Sequence, residues 1–166
     1  MNNENSVLLV LMTLVVLALT DVSTKAANAH RTLKVKLNYS GAGIVDEKHK
    51  IYVLLFDANP YTAKRLVDST SNTTPPAPAT DVCHILRRQG SSGKNETLTF
   101  NDLGVSPVYA AAFLDEAGSY DGASDPASGS PMGSYGKAPD KVEPIKLEEG
   151  KAVEVVLGFD DSSRTP

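Results

Sequence analysis

Two stretches near opposite ends of the chain set the terms for its fold. Leu33, Val35, Leu37 and Tyr39 alternate with Lys34, Lys36 and Asn38, and Val153, Val155, Leu157 and Phe159 alternate in the same way near the C-terminus. A period of two places successive side chains on opposite faces of a strand, and helical periodicity is nearly absent elsewhere. Ile51–Phe56 (IYVLLF) and Val108–Leu114 (VYAAAFL) are apolar on both faces, which suits central strands. The alanines of the second favour a helix by propensity, but Pro107 and its short length favour a strand. Val82–Leu86, Leu98 with Phe100, and Ile145 with Leu147 complete a set of seven. Seven short strands separated by turn-rich segments predict an all-β, seven-stranded antiparallel Greek-key β-sandwich. All four phenylalanines fall on these strands, as a shared core requires. The one helical candidate is a turn or two at Tyr61–Val67, after Pro60.

Two long interruptions break the strand spacing. Ser69–Thr80 is rich in Thr and Pro. Residues 115–141 read as a long Gly/Ser/Pro-rich loop, since 17 of the 23 residues from Ala117 to Pro139 are Gly, Ser, Ala or Pro. Loops of that size in a compact domain are usually functional or disordered.

The N-terminus carries an address. Val7–Leu19 is apolar and uncharged, but thirteen helical residues rise only about 20 Å. A bilayer core needs roughly 30 Å. Asp21 and Lys25 close the run, and Ala27-Asn28-Ala29 supplies a small-x-small cleavage pattern. Residues 1–29 are therefore expected to be a signal peptide, with a single mature domain over 30–166 that starts at His30. An uncleaved anchor is the alternative, because the opening MNNENS lacks Lys and Arg. No cysteine follows the apolar run, which excludes a lipoprotein anchor there. The protein is expected to be secreted or periplasmic, with no stable membrane span in the mature chain.

Charge and composition narrow the chemistry. The net charge of -4 excludes a generally basic nucleic-acid binder. One cysteine excludes an intrachain disulfide and a multi-cysteine metal site, and His30, His49 and His84 are the only histidines. Residues 30–114 carry ten basic and seven acidic side chains, whereas residues 115–161 carry four and eleven. If the strands alternate in direction, the fifth and seventh run the same way. Asp115 and Asp160 then leave the sandwich at one end, and Asp57 at the other. Asp115, Glu116, Asp121, Asp125 and Asp160 become candidate ligands for Ca²⁺, a hard cation that takes six to eight oxygens. The spacing is not that of an EF-hand: Ala117 stands where a side-chain oxygen is needed and Tyr120 where the turn glycine belongs. A solvated acidic loop is the alternative reading, and no other cofactor is called for.

The stretch VYAAAFLDEAGSYDGASDPASGSPMGSYG, Val108–Gly136, resembles a recurrent segment of secreted bacterial transthyretin-like (prealbumin-like) β-sandwich proteins. In these a strand runs into an acidic turn and a Gly-Ser-Pro passage ending in Tyr-Gly. Ile145–Asp161 (IKLEEGKAVEVVLGFDD) is similar to their closing strand, Glu-Gly turn and strand. The resemblance covers most of 32–161 and implies an immunoglobulin/transthyretin-like fold in an extracytoplasmic setting. It departs from the pattern at Ala117, where the family has Asn. A hydrolase branch of that fold closes on Tyr-Arg-Gly-Ser and uses paired histidines with an Arg. This chain ends Ser162-Ser163-Arg164-Thr165-Pro166 and lacks that motif.

Nucleophilic catalysis finds little material. Cys83 and His84 are neighbours on one strand and point to opposite faces, so the imidazole is badly placed to activate the thiol. Arg87, Arg88 and Lys94 form a small basic cluster that reads as a solvated hairpin. Asn38, Asn72 and Asn95 open glycosylation-type triplets, which are chance matches if the source is bacterial, as the resemblance implies. The expected function is a non-catalytic extracytoplasmic binding or structural module, not an enzyme. Its expected partner is another envelope or extracellular protein or a polysaccharide, through loops at the end of the sandwich. The alternative is a small secreted carboxylate-dependent hydrolase acting on polysaccharide.

Overall fold

The computed structural model describes residues 30–62, 83–138 and 141–166. Among them the regular structure is entirely strand: β1 (Thr32–Tyr39), β2 (Ile51–Phe56), β3 (Ile85–Ser91), β4 (Thr97–Phe100), β5 (Tyr109–Leu114), β6 (Met132–Ser134), β7 (Gly136–Ala138), β8 (Lys141–Val142) and β9 (Ala152–Phe159). One sheet has the order β4-β1-β9, a second β3-β2-β5-β6, and β7 and β8 form a small ribbon. Among the described residues no helix is long and apolar enough to cross a membrane. Residues 1–29, Ser69–Thr80 and all but Tyr61 and Thr62 of the helical candidate lie outside the described residues.

The alternating segments behave as their period dictates. Leu33, Val35, Leu37 and Tyr39 of β1 point inward together with Val155, Leu157 and Phe159 of β9. Ile51, Val53 and Leu55 of β2 and Ala110, Ala112 and Leu114 of β5 meet them from the second sheet, so one hydrophobic cluster joins the two layers. Each large aliphatic side chain fully buried there contributes roughly 1.5–3 kcal/mol. Leu103, Val108, Ile145 and Leu147 extend the same cluster.

Strand direction departs from an all-antiparallel expectation at one pairing. β1 and β9 run parallel, in register from Thr32 with Ala152 to Tyr39 with Phe159. With β4 antiparallel to β1 on its other side, β1 and β9 carry the chain in the same direction, and as neighbours they pair in parallel.

Three sequence expectations need correction. The sixth strand is Met132–Ser134, inside the expected loop 115–141, which also holds β7 and the first residue of β8. Small residues are what let β6 form: a Cβ on Gly133 would lie 2.4 Å from Phe159 Cβ, so only glycine lets this strand settle there. Ile145 makes one isolated bridge to Val108, and no strand spans Ile145–Leu147. β3 begins at Ile85 and includes Arg87 and Arg88, downstream of the expected Val82–Leu86. As an edge strand it is held by backbone pairing with β2, and its mostly exposed side chains need no apolar alternation.

The phenylalanines divide between two environments. Phe100 and Phe159 belong to the shared core. Phe113 is buried but lies on the outer face of its sheet, beside Tyr52, and Phe56 is only half-buried. With both faces of β2 and β5 apolar, register alone decides which face turns inward. The structure turns the alanines of β5 toward the core.

Candidate functional site: the acidic loop and its cavity

The end of β5 launches a loop that folds back over its own sheet. The Asp115 N–H donates to the Lys50 carbonyl at 2.9 Å, which fixes the exit direction. The Asp115 side chain is 4% exposed, and its carboxylate accepts the Tyr120 N–H at 2.8 Å. Between them Gly118 adopts a φ of +64°, and a Cβ there would lie 2.9 Å from the Lys48 carbonyl oxygen. A left-handed turn this close to backbone selects glycine. The loop thus delivers the Tyr120 ring edge-on to Tyr52 at 4.7 Å and to Phe113 at 4.8 Å. Tyr52 and Phe113 stack at 5.6 Å beneath it. Burial pushes the Tyr120 hydroxyl above its ordinary range; the Arg88 charge opposes this, and Asp121 and Asp125 reinforce it.

Beside this aromatic group lies a cavity of about 250 Å³, lined by Asp115, Ser119, Tyr120, Asp121, Ser124 and Asp125 among others. Asp121 accepts the N–H groups of Ala123 at 2.8 Å and Ser124 at 2.9 Å, and the Ser124 hydroxyl at 3.2 Å. Those backbone donors hold its carboxyl below the usual carboxylate range.

The five candidate metal ligands share an end of the molecule but do not converge. Asp115, Asp121 and Asp125 line the one cavity. Glu116 turns away to Arg164 Nη1 at 3.0 Å. Asp160 accepts the Ser162 N–H at 2.8 Å in its own turn and borders a separate cleft against β6. Among the described residues no group of three or more His, Cys, Asp or Glu is placed to hold a metal ion.

Asp161 has a role that sequence reading missed. Its carboxylate accepts the Tyr39 hydroxyl and, at 2.8 Å, the Ala42 N–H, and both hold it below the ordinary range. Tyr39, buried in the core, has its hydroxyl pushed up to about 12 by burial and by the Asp161 bond. Lys94 completes the fastening, its Nζ donating to the Gly41 carbonyl at 2.8 Å and standing 5.1 Å from the Tyr39 ring centroid. The legible signal was Tyr39 itself, because a buried tyrosine hydroxyl requires a partner.

The remaining candidates sit apart. His84 presents its N–H to Asp57 at 2.7 Å and its Nδ1 at 2.8 Å, while Cys83 Sγ donates to the Ala58 carbonyl at 3.3 Å. Burial raises the Asp57 carboxyl, but the two His84 contacts outweigh it and hold the group low. Each histidine in fact faces an aspartate: His30 faces Asp102, His49 faces Asp46, and His84 faces Asp57. Comparison with protein-family models, curated proteins and solved structures gives no match to this chain.

Proposed function

We propose that the chain is a non-catalytic, extracytoplasmic β-sandwich module that binds an envelope or extracellular partner through the end carrying the 115–130 loop. The observation that carries this reading is the cavity beside Tyr120: hydroxyls, carboxylates and one aromatic ring, presented by a loop that Asp115 fastens to the sheet. Such a surface suits a hydroxyl-rich or cationic group, as on a polysaccharide or a basic protein segment. The seven-stranded Greek-key assignment is supported by the alternating directions and by a shared core between two layers. Within that architecture, the first strand pairs with the fourth and the last. This is not the constant-type immunoglobulin grouping of one, two, five and four. The resemblance to transthyretin-like proteins favours their branch. Export rests on the leader-like residues 1–29.

A hydrolase reading is weaker for a chemical reason. General-acid catalysis near neutrality needs a carboxyl group held protonated. Asp121, Asp160, Asp161 and Asp57 all shift the other way, toward the charged form. The Ca²⁺ reading is weakened by the same economy of the loop, since Asp121 is already served by its own backbone and Glu116 by Arg164.

Capture of partners from the native envelope by the mature chain tests the module. Tyr120→Ala should abolish capture while Asp57→Asn, at the far end, leaves it intact. Loss with Asp57→Asn alone would place binding at the wrong end. Melting curves in millimolar Ca²⁺ and in chelator should coincide, and a stabilisation that grows with Ca²⁺ as RT ln(1 + [L]/Kd) would restore the ion to this loop.

A further inference from the structure

We propose that export processing creates a copper-class metal site at the opposite end of the molecule, from the α-amine and Nδ1 of His30 and a carboxylate oxygen of Asp102. The inference rests on the expected cleavage after Ala29, which turns the His30 backbone nitrogen from an amide into a free amine.

The two residues are already assembled. His30 Nδ1 contacts Asp102 Oδ1 directly, although the residues are far apart in sequence. Backbone bonds fix both flanks. The His30 carbonyl accepts the Gly150 N–H at 3.0 Å, and the Leu103 N–H donates to the Arg31 carbonyl at 3.1 Å. The Thr32 hydroxyl adds a bond to Asn101 Oδ1 at 3.2 Å. Asp102, just beyond β4, has a φ of 55°, alone among the described non-glycine residues in taking a positive value. Aspartate tolerates that conformation better than most side chains, and such outliers concentrate at functional sites. The His30 and Asp102 side chains nevertheless remain 75% and 68% exposed, open to an ion from solution. The neighbouring charges are committed elsewhere, because Arg31 Nη2 holds Glu149 at 2.7 Å and its Nη1 reaches the Gly104 carbonyl at 3.4 Å.

Coordination chemistry then selects the ion. An amino-terminal histidine binds a metal through its amine and Nδ1 in a six-membered chelate ring. The carboxylate that now faces Nδ1 lies where it supplies a third donor as the metal displaces the intervening proton. Two nitrogens and an oxygen suit Cu²⁺ or Ni²⁺ in tetragonal geometry, and affinity order among divalent ions places Cu²⁺ first. A precursor with residues 1–29 attached has no α-amine here and cannot close the ring. The site is therefore off inside the cell and on after export.

The test uses tag-free chains released from a fusion so that the first residue is defined: one starting at His30, one extended by the eight native residues Val22–Ala29 so that its amine lies far from the imidazole, and an Asp102→Asn form of the first. Cu²⁺ is titrated against a competing chelator and the complex is examined by electron paramagnetic resonance. The His30 chain should bind one equivalent with two-nitrogen hyperfine structure. The extended chain should bind more weakly by more than about tenfold. Asp102→Asn should fall between them, and His49→Ala and His84→Ala should change nothing. Equal affinity with and without residues 22–29 would overturn the site. Intact mass of the exported protein separates the two layers of the inference. Residues 1–29 retained would end both the cleavage reading and the site, whereas a chain starting at His30 that binds copper no better than the extended chain would end only the site.

Discussion

The two sheets present outer faces of opposite character. On the three-stranded sheet Lys34, Lys36, Asn38, Thr97, Thr99, Glu154 and Val156 all stand exposed. On the four-stranded sheet Leu54 and Phe113 are buried although they point away from the shared core, and Tyr52 is half-covered. A solvated sheet face needs only polar alternation, and β1 supplies it. A face with apolar residues on β2 and β5 needs a cover, and the 115–130 loop supplies part of it through Tyr120. A two-sided apolar strand in a two-layered protein thus marks where a loop lies down on the sheet, as well as where a strand is central.

The sharpest way to break this comparison is Phe113→Ala. It should cost about 4 kcal/mol, as for a core phenylalanine, and also loosen the loop so that proteolysis within 117–130 accelerates. Leu157→Ala, in the shared core, should cost about 3 kcal/mol in denaturant melts without exposing the loop. If both variants leave the loop equally protected, Phe113 is not its seat.

Next in size is Asp115→Ala, expected to cost about 2 kcal/mol because the Tyr120 N–H loses a buried charged acceptor. Fluorescence or proteolysis of the loop should change with it. A loss under about 0.5 kcal/mol would show that aromatic packing alone holds the loop down.

The bare sheet has its own fastening in Tyr39 and Asp161, and it is read by pH. The Tyr39 pKa is raised to about 12 in the folded state, so its contribution is complete below about pH 10, the unfolded value. It is then lost as pH climbs from 10 to 12. Asp161 is depressed, so its contribution is present above the ordinary carboxylate range and lost as pH falls through the folded value. Tyr39→Phe should flatten the alkaline loss of stability between pH 10 and 12, and an unchanged alkaline profile would separate Tyr39 from that fastening.

The smallest effect belongs to Val156, 56% exposed on the bare face. Val156→Lys should shift stability by less than about 0.5 kcal/mol. A cost comparable to Phe113→Ala would mean that this face too is covered.

The amino-acid pattern along the chain sets the strictly alternating strands, β1 and β9, and the inward set they share. It also determined that β2 and β5 are buried on both sides, and that Asp115 and Asp160 leave by one end. Each of these follows from side-chain period and chain parity, which are local or countable properties. Packing rather than pattern makes a sixth strand of Met132, Gly133 and Ser134, because backbone pairing with β5 and the room beside Phe159 create it without any apolar alternation. The five acids divide for two reasons: Asp121 and Asp160 are taken by N–H groups two or three residues on in their own turns, whereas Glu116 is drawn off by Arg164 from a distant segment, which the sequence does not show. The pairing of His30 with Asp102 was equally invisible along the chain, because it forms where the end of β4 comes alongside the start of β1.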